Sequence, residues 1–380
     1  MRKKILVVFG TRPEAIKMLP LVKALLAEAA LEVRVCVTAQ HREMLDQVLD
    51  LFAVTPEYDL DVMTNAQSLE QITAMVLEGL SRVLDDFVPD RVLVHGDTAT
   101  AAAASLAAFY KQIRVGHVEA GLRSGDPLQP WPEEINRRII DVIADQYYAP
   151  TAGTRDNLLR EGARADAVHL TGNTVIDALL MVAERLDNDP ALTSSLAASF
   201  SYLDSGRPLL LVTGHRRENF GPPLREICSA ILDLARAYPM QVVYPIHPNP
   251  NVQGPVREML SGVPHIHLVD PLQYLPFVYL MKRSHAILTD SGGIQEEAPS
   301  LGKPVFVTRN VTERPEAVAA GTVELVGTAR RTIVERVGRV FHTSRLGASV
   351  SHRVNPYGDG QASRRIAAIL VGRAIEEFSV

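Results

Sequence analysis

Hydrophobic positions fall into short, nearly unbroken runs separated by longer stretches with helical spacing. Runs at 5–9, 33–38, 92–95, 115–118, 146–149 and 168–170 occupy the first half of the chain. Runs at 209–213, 242–246, 266–269, 286–289, 305–308 and 323–326 occupy the second. Many are continuous instead of alternating, as in parallel strands buried on both faces. Segments 13–28, 70–84, 98–110 and 133–145 read as helices between them. Strand–helix–strand repetition predicts doubly wound α/β sheets, and about six strands per half predicts two domains.

The boundary is expected at Thr171-Gly172-Asn173, giving an N-terminal domain over 1–171 and a C-terminal domain over 172–360. Asn355-Pro356-Tyr357-Gly358-Asp359-Gly360 is a dense turn signal. The final stretch, 361–380, reads as a helix with Ile366, Ile369, Leu370 and Ala374 on one face, packed back on the first domain.

Composition narrows the class. The 380 residues carry a net charge of −5, which argues against a protein that coats nucleic acid. Cys36 and Cys228 are the only cysteines, too few for a disulfide scaffold or a cysteine metal cluster, and a reduced, cytoplasmic setting is expected. The apolar run 5–9 is too short for a secretory signal, and no stretch approaches the roughly 18 apolar residues of a membrane span.

Ligands of parallel sheets bind beyond the carboxyl ends of the strands, and the polar motifs of this chain lie there. Gly10-Thr11-Arg12-Pro13-Glu14, with Lys17 one turn on, is either a phosphate site at a helix start or an ordinary glycine turn. In His95-Gly96-Asp97-Thr98, Asp97 is a helix cap or a functional carboxylate. Glu119 follows a strand, where an unpaired charge is costly. Glu133 and Glu134 open a helix whose dipole would by itself account for them. In the second half, His215, Arg216 and His247 follow two strands. Ser291-Gly292-Gly293 starts a helix as a nest of N–H groups for phosphate oxygens. Glu297, one turn inside it, suits a ribose diol, and Arg314 a diphosphate. No metal constellation, nucleophile elbow or Walker loop occurs. The residues alone suggest a nucleotide sugar in the cleft between two domains, with carboxylates on one side and an anion cradle on the other.

Read together, these motifs resemble one family. Gly10 to Met18, Thr38-Ala39-Gln40-His41-Arg42, His95 to Thr98, Gly116 to Arg123, Pro132-Glu133-Glu134 and Thr171 to Thr174 match it in order. So do Gly214 to Asn219, Asp290 to Pro299, Thr312 to Glu316 and Asn355 to Gly360. The chain resembles the bacterial non-hydrolysing UDP-N-acetylglucosamine 2-epimerases. The resemblance implies a GT-B architecture of two Rossmann-like domains and interconversion of UDP-N-acetylglucosamine and UDP-N-acetylmannosamine without NAD or metal. UDP would be eliminated to give 2-acetamidoglucal and then re-added. Asp97, Glu119, Glu134 and His215 would be catalytic. Arg12, Lys17, Phe277, Ser291, Gly292, Gly293, Glu297 and Arg314 would bind the nucleotide. Gln40, His41, Gln67, Arg216 and His247 match parts of a site where some members bind a second, activating substrate molecule. Ala66, Glu43, Leu272 and the loop 125–130 depart from the usual pattern. A homodimer supplying polysaccharide biosynthesis is implied as well. The rival readings are a GT-B glycosyltransferase, a hydrolysing epimerase and a nucleotide-sugar sensor.

Overall fold

The computed structural model describes residues 2–39, 42–62, 67–342 and 354–379. By contacts the chain divides into two compact units, one of Met1–Ala178 with Tyr357–Ser379, the other of Leu179–Pro356. The division falls seven positions past the turn at Gly172. Asn173 N–H donates to Tyr357 O at 2.7 Å, and the Asp177 carboxylate accepts from Ala362 and Ser363 N–H. These bonds tie the start of the helix Thr174–Asn188 to the C-terminal segment.

The first unit holds β1 (Lys3–Phe9), β2 (Leu31–Val37), β3 (Tyr58–Asp59), β4 (Arg91–His95), β5 (Arg114–Val118), β6 (Gln146–Ala149) and β7 (Val168–Leu170). They form a parallel sheet in the order β3-β2-β1-β4-β5-β6-β7. The second unit holds β8 (Leu209–Thr213), β9 (Gln241–Pro245), β10 (Ile266–Val269), β11 (Ala286–Thr289), β12 (Val305–Val307) and β13 (Val323–Leu325). Their order is β10-β9-β8-β11-β12-β13, again parallel. Strand order switches direction between β1 and β4 in one sheet and between β8 and β11 in the other, the places where such sheets open a crevice.

The continuous apolar runs are buried on both faces: Ile5, Leu6, Val7, Val8 and Phe9 have no exposed surface. Each such side chain contributes about 1.5–3 kcal/mol. Strand β3 is too short to leave a period in the sequence. The C-terminal helix is Ala362–Leu370, not the longer one read from spacing. Gly372 turns at φ 77°, and Phe378 N–H donates to Leu170 O on β7, so the tail leaves the helix for the sheet edge. Both cysteines are buried thiols, and burial raises each to about 12. Among the described residues no helix is long and apolar enough to cross a membrane.

Candidate active site

The first unit gathers its polar residues at the β1/β4 switch. Gly10 is required there by space: a Cβ would meet Thr38 Oγ1 at 2.0 Å and Thr100 Oγ1 at 2.7 Å. The helix Arg12–Leu26 starts with a capping box, Thr11 accepting from Glu14 N–H. Glu14 Oε2 in turn accepts from Gly10 and Thr11 N–H at 3.1 and 2.8 Å, and its Oε1 takes Thr98 Oγ1 at 2.7 Å. The N–H groups of Gly10, Thr11 and Glu14 are therefore committed to the protein. Lys17, expected among the phosphate contacts, instead grips Glu119, its Nζ 2.6 and 2.7 Å from the two carboxylate oxygens. Arg12 is half-buried on the same helix.

Glu119 follows β5 with φ 64°, a conformation that costs a non-glycine residue about 1–3 kcal/mol. That turn directs a buried carboxylate back over Gly96, where Oε2 lies 3.7 Å from a Cβ position. His95 Nε2 stands 2.9 Å from Oε2, and Asn173 Nδ2 donates to Oε1 at 3.0 Å. Burial by itself pushes the Glu119 pKa up, but the charges of Lys17 and His95 outweigh it and hold the carboxyl well below its usual range.

Asp97 does not cap its helix. Thr98 does, accepting from Ala101 N–H at 3.0 Å, because a one-residue offset places its hydroxyl over the first turn. The Asp97 side chain keeps 28% of its surface and pairs with Arg137 through Oδ2. Arg137 also donates to Glu134 Oε2 at 3.0 Å, so one guanidinium bridges two carboxylates. Glu134, on the helix Glu133–Ile143, has no exposed surface. Its Oε2 also accepts from Ser124 N–H, and its Oε1 accepts twice from Arg138. Burial opposes ionisation, yet these donors pull its pKa below the ordinary value.

The second unit's polar groups meet at the β8/β11 switch. The buried Asp290 carboxylate accepts from His215 N–H, Arg216 N–H and Asn219 Nδ2 at 2.9–3.1 Å, fixing the loop after β8. Burial lowers the His215 pKa against the opposing pull of Asp290. The His215 ring stacks on His247 with centroids 5.7 Å apart. Of the three N–H groups expected at the nest, that of Ser291 is already donated to Thr289 Oγ1 at 3.0 Å. Gly292 and Gly293 begin the helix Gly292–Glu297, where N–H groups have no intrahelical acceptor. Guanidinium nitrogens of Arg216 and Arg314 lie 3.7 and 3.9 Å from a Cβ position on Gly292. Arg314 Nε is also bonded to Glu296 Oε1. Buried Glu297 accepts from Tyr274 OH at 2.7 Å, and Phe277 is half-buried on the helix Tyr274–Arg283.

Gln67 donates to Val62 O in the first unit, whereas Arg216 and His247 belong to the second. Gln40, His41 and Ala66 lie outside the described residues. Sequence reasoning gave no role to His95, Asn173, Arg137, Arg138, Tyr274, Asp290 or Asn219. Most sit inside the motifs already singled out.

Comparison with known proteins fits this geometry. The UDP-N-acetylglucosamine 2-epimerase family profile matches residues 23–371. A probable UDP-N-acetylglucosamine 2-epimerase of Ralstonia solanacearum is 57% identical over 377 residues, covering 99% of each chain. The UDP-N-acetylglucosamine 2-epimerase of Yersinia pestis is 57% identical over 368 residues, covering 97% of this chain and 98% of its own. The crystal structure of the Neisseria meningitidis enzyme, bound to UDP-GlcNAc, is 51% identical and superposes with a TM-score of 0.88 over 97% of this chain and 99% of that one.

Proposed function

The chain belongs to the UDP-N-acetylglucosamine 2-epimerase family, and on that premise we propose that it interconverts UDP-N-acetylglucosamine and UDP-N-acetylmannosamine by eliminating and re-adding UDP. The reaction must break the C2–H bond, and the electron pair then forms the C1–C2 double bond. The C1–O bond breaks, and UDP leaves with its electrons. Re-addition to 2-acetamidoglucal, with a proton delivered to the opposite face of C2, gives the epimer. Atoms balance without an oxidant, and no cofactor is invoked.

The observation that carries this reading is the Arg137 bridge between Asp97 and Glu134, with the Glu119 carboxylate lying over Gly96, the residue before Asp97. Glu134 is saturated with donors and acts as a fixed anion that orients Arg137. Asp97 and Glu119 between them take and return the proton, as general base and general acid. The second unit stabilises the departing diphosphate through Gly292, Gly293, Arg216, Arg314 and His215. Glu297 takes the ribose, and the Phe277 ring packs on the uracil.

The same reading places the enzyme in the cytoplasm, feeding UDP-N-acetylmannosamine to polysaccharide assembly, as a homodimer. The helix Glu133–Ile143 supports that partner: Ile135, Ile139 and Val142 form an exposed apolar stripe, with Val142 86% exposed. Light scattering of Val142→Glu should then report a shift towards monomer.

The test of function is proton NMR of UDP-N-acetylglucosamine with the enzyme in deuterated water. Both UDP sugars should acquire deuterium at C2. Free N-acetylmannosamine with UDP would identify hydrolysis instead, and an unchanged spectrum would leave a transferase or a sensor.

A further inference from the structure

We propose that His117, held by Asp141, and Asn136 are positioning residues that clamp the backbone on either side of Asp97. The proposal rests on the reading of Asp97 as catalytic. Gly96, just before Asp97, turns at φ 65°, and its N–H is spent on Val118 O. Its carbonyl, which belongs to the peptide leading into Asp97, is reached by the fully buried His117 ring, with Nε2 at 2.7 Å. A carbonyl oxygen only accepts, so Nε2 must carry a proton and the ring's orientation is fixed.

His117 Nδ1 lies 2.6 Å from Asp141 Oδ1. Asp141 is anchored in turn, its Oδ2 accepting from Arg123 Nη2 at 2.7 Å, and Arg123 is held by Glu161. On the other side of Asp97, Asn136 Nδ2 donates to the Asp97 carbonyl at 2.8 Å. Arg137 grips the carboxylate itself. Asn136, Arg137 and Asp141 all stand on the helix Glu133–Ile143, which also carries Glu134. One helix thus holds Asp97 by the peptide before it, the peptide after it and its carboxylate.

A buried polar relay is a poor source of stability, since apolar residues of similar volume often serve as well. What it does supply is placement. A proton-transfer group has to be held to within about 0.5 Å by its supporting shell. Loss of a clamp should therefore reduce turnover more than binding.

The experiment uses Asp141→Ala, Asp141→Asn and Asn136→Ala in the full chain. It measures kcat and KM for epimerisation, UDP affinity by calorimetry and the thermal midpoint. Asp141→Ala and Asn136→Ala should each lower kcat by roughly 10–100-fold with KM and UDP affinity nearly unchanged. Asp141→Asn should recover most of that loss, because its amide donates to Nδ1 and leaves Nε2–H on Gly96. The clamp is overturned if folded Asp141→Ala keeps wild-type kcat, if kcat and UDP affinity fall together, or if Asn is no better than Ala. Should Asp141→Ala fail to fold, the half-buried Asn136 decides alone: unchanged kcat in Asn136→Ala overturns the proposal. Asp97→Asn separates the two levels. Wild-type turnover in that variant refutes the role of Asp97, whereas an inactive Asp97→Asn beside fully active clamp variants refutes only the clamp.

Discussion

Replacing Lys17 with Met removes the principal counter-charge of Glu119. The ammonium sits 2.6 Å from a carboxylate with 6% of its side-chain surface exposed, and is itself 17% exposed. Breaking a buried pair from one side costs about 3–5 kcal/mol, and the low end applies because His95 and Asn173 still face the carboxylate. A loss of about 3 kcal/mol lowers the thermal midpoint by roughly 6–12 °C in a unit of about this size. The cost depends on pH. Wild-type Glu119 has its folded pKa below the ordinary glutamate range, so its stabilisation is complete above that range and fades as pH falls through the folded pKa. Without Lys17, burial is opposed only by His95 and Asn173, so the folded pKa rises from its wild-type position and protonation relieves the strain at a higher pH. Thermal melts of the two proteins should therefore differ most at pH 8, and the gap should be smaller at pH 5. Glu119→Gln in the Lys17→Met background should cost much less than the sum of the single changes. A deficit that is the same at both pH values, or strict additivity, would refute this account.

Further predictions follow from other contacts. Gly10→Ala puts a Cβ 2.0 Å from Thr38 Oγ1 and should cost about 1–3 kcal/mol in urea unfolding, part of it recovered by adding Thr38→Ala. Asp177 is raised by burial to about 6 and has no cation in its hydrogen-bond set, so folding gains from its protonation. Stability from this group is therefore lost as pH rises from about 4 to about 6. Asp177→Asn removes that pH dependence while turning an amide N–H on one of the two backbone donors, so urea unfolding should show its stability relative to wild type rising by up to roughly 3 kcal/mol between pH 4 and pH 8. Asp290→Ala strands the donors of His215, Arg216 and Asn219, and calorimetry should show UDP binding weakened about tenfold or more.

Most strands were legible because they are continuous or nearly continuous apolar runs, as sheets buried on both faces favour. Where the signal is weak the reading failed for local reasons. Two residues of β3 carry no period. Apolar spacing through Ala374 and Phe378 imitates a helix that Gly372 ends. Thr98 and Asp97 are both good caps in composition, and only backbone geometry separates them.

The candidate site divides the same way. Sequence order alone put Asp97, Glu119, Glu134, His215 and the Ser291-Gly292-Gly293 turn at strand or helix ends, and in each unit the sheet topology brings its own ends together. It could not assign partners. Lys17 and Glu119 stand 102 positions apart and Arg137 and Asp97 40 apart, and Glu14 spends its carboxylate on the turn that looked open to phosphate. Local sequence determines where a chain goes straight, coils or turns, since those preferences act over a few residues. Which charge neutralises which is decided by packing, because burial makes an unpaired carboxylate too costly and leaves each one only the cations the fold has placed beside it.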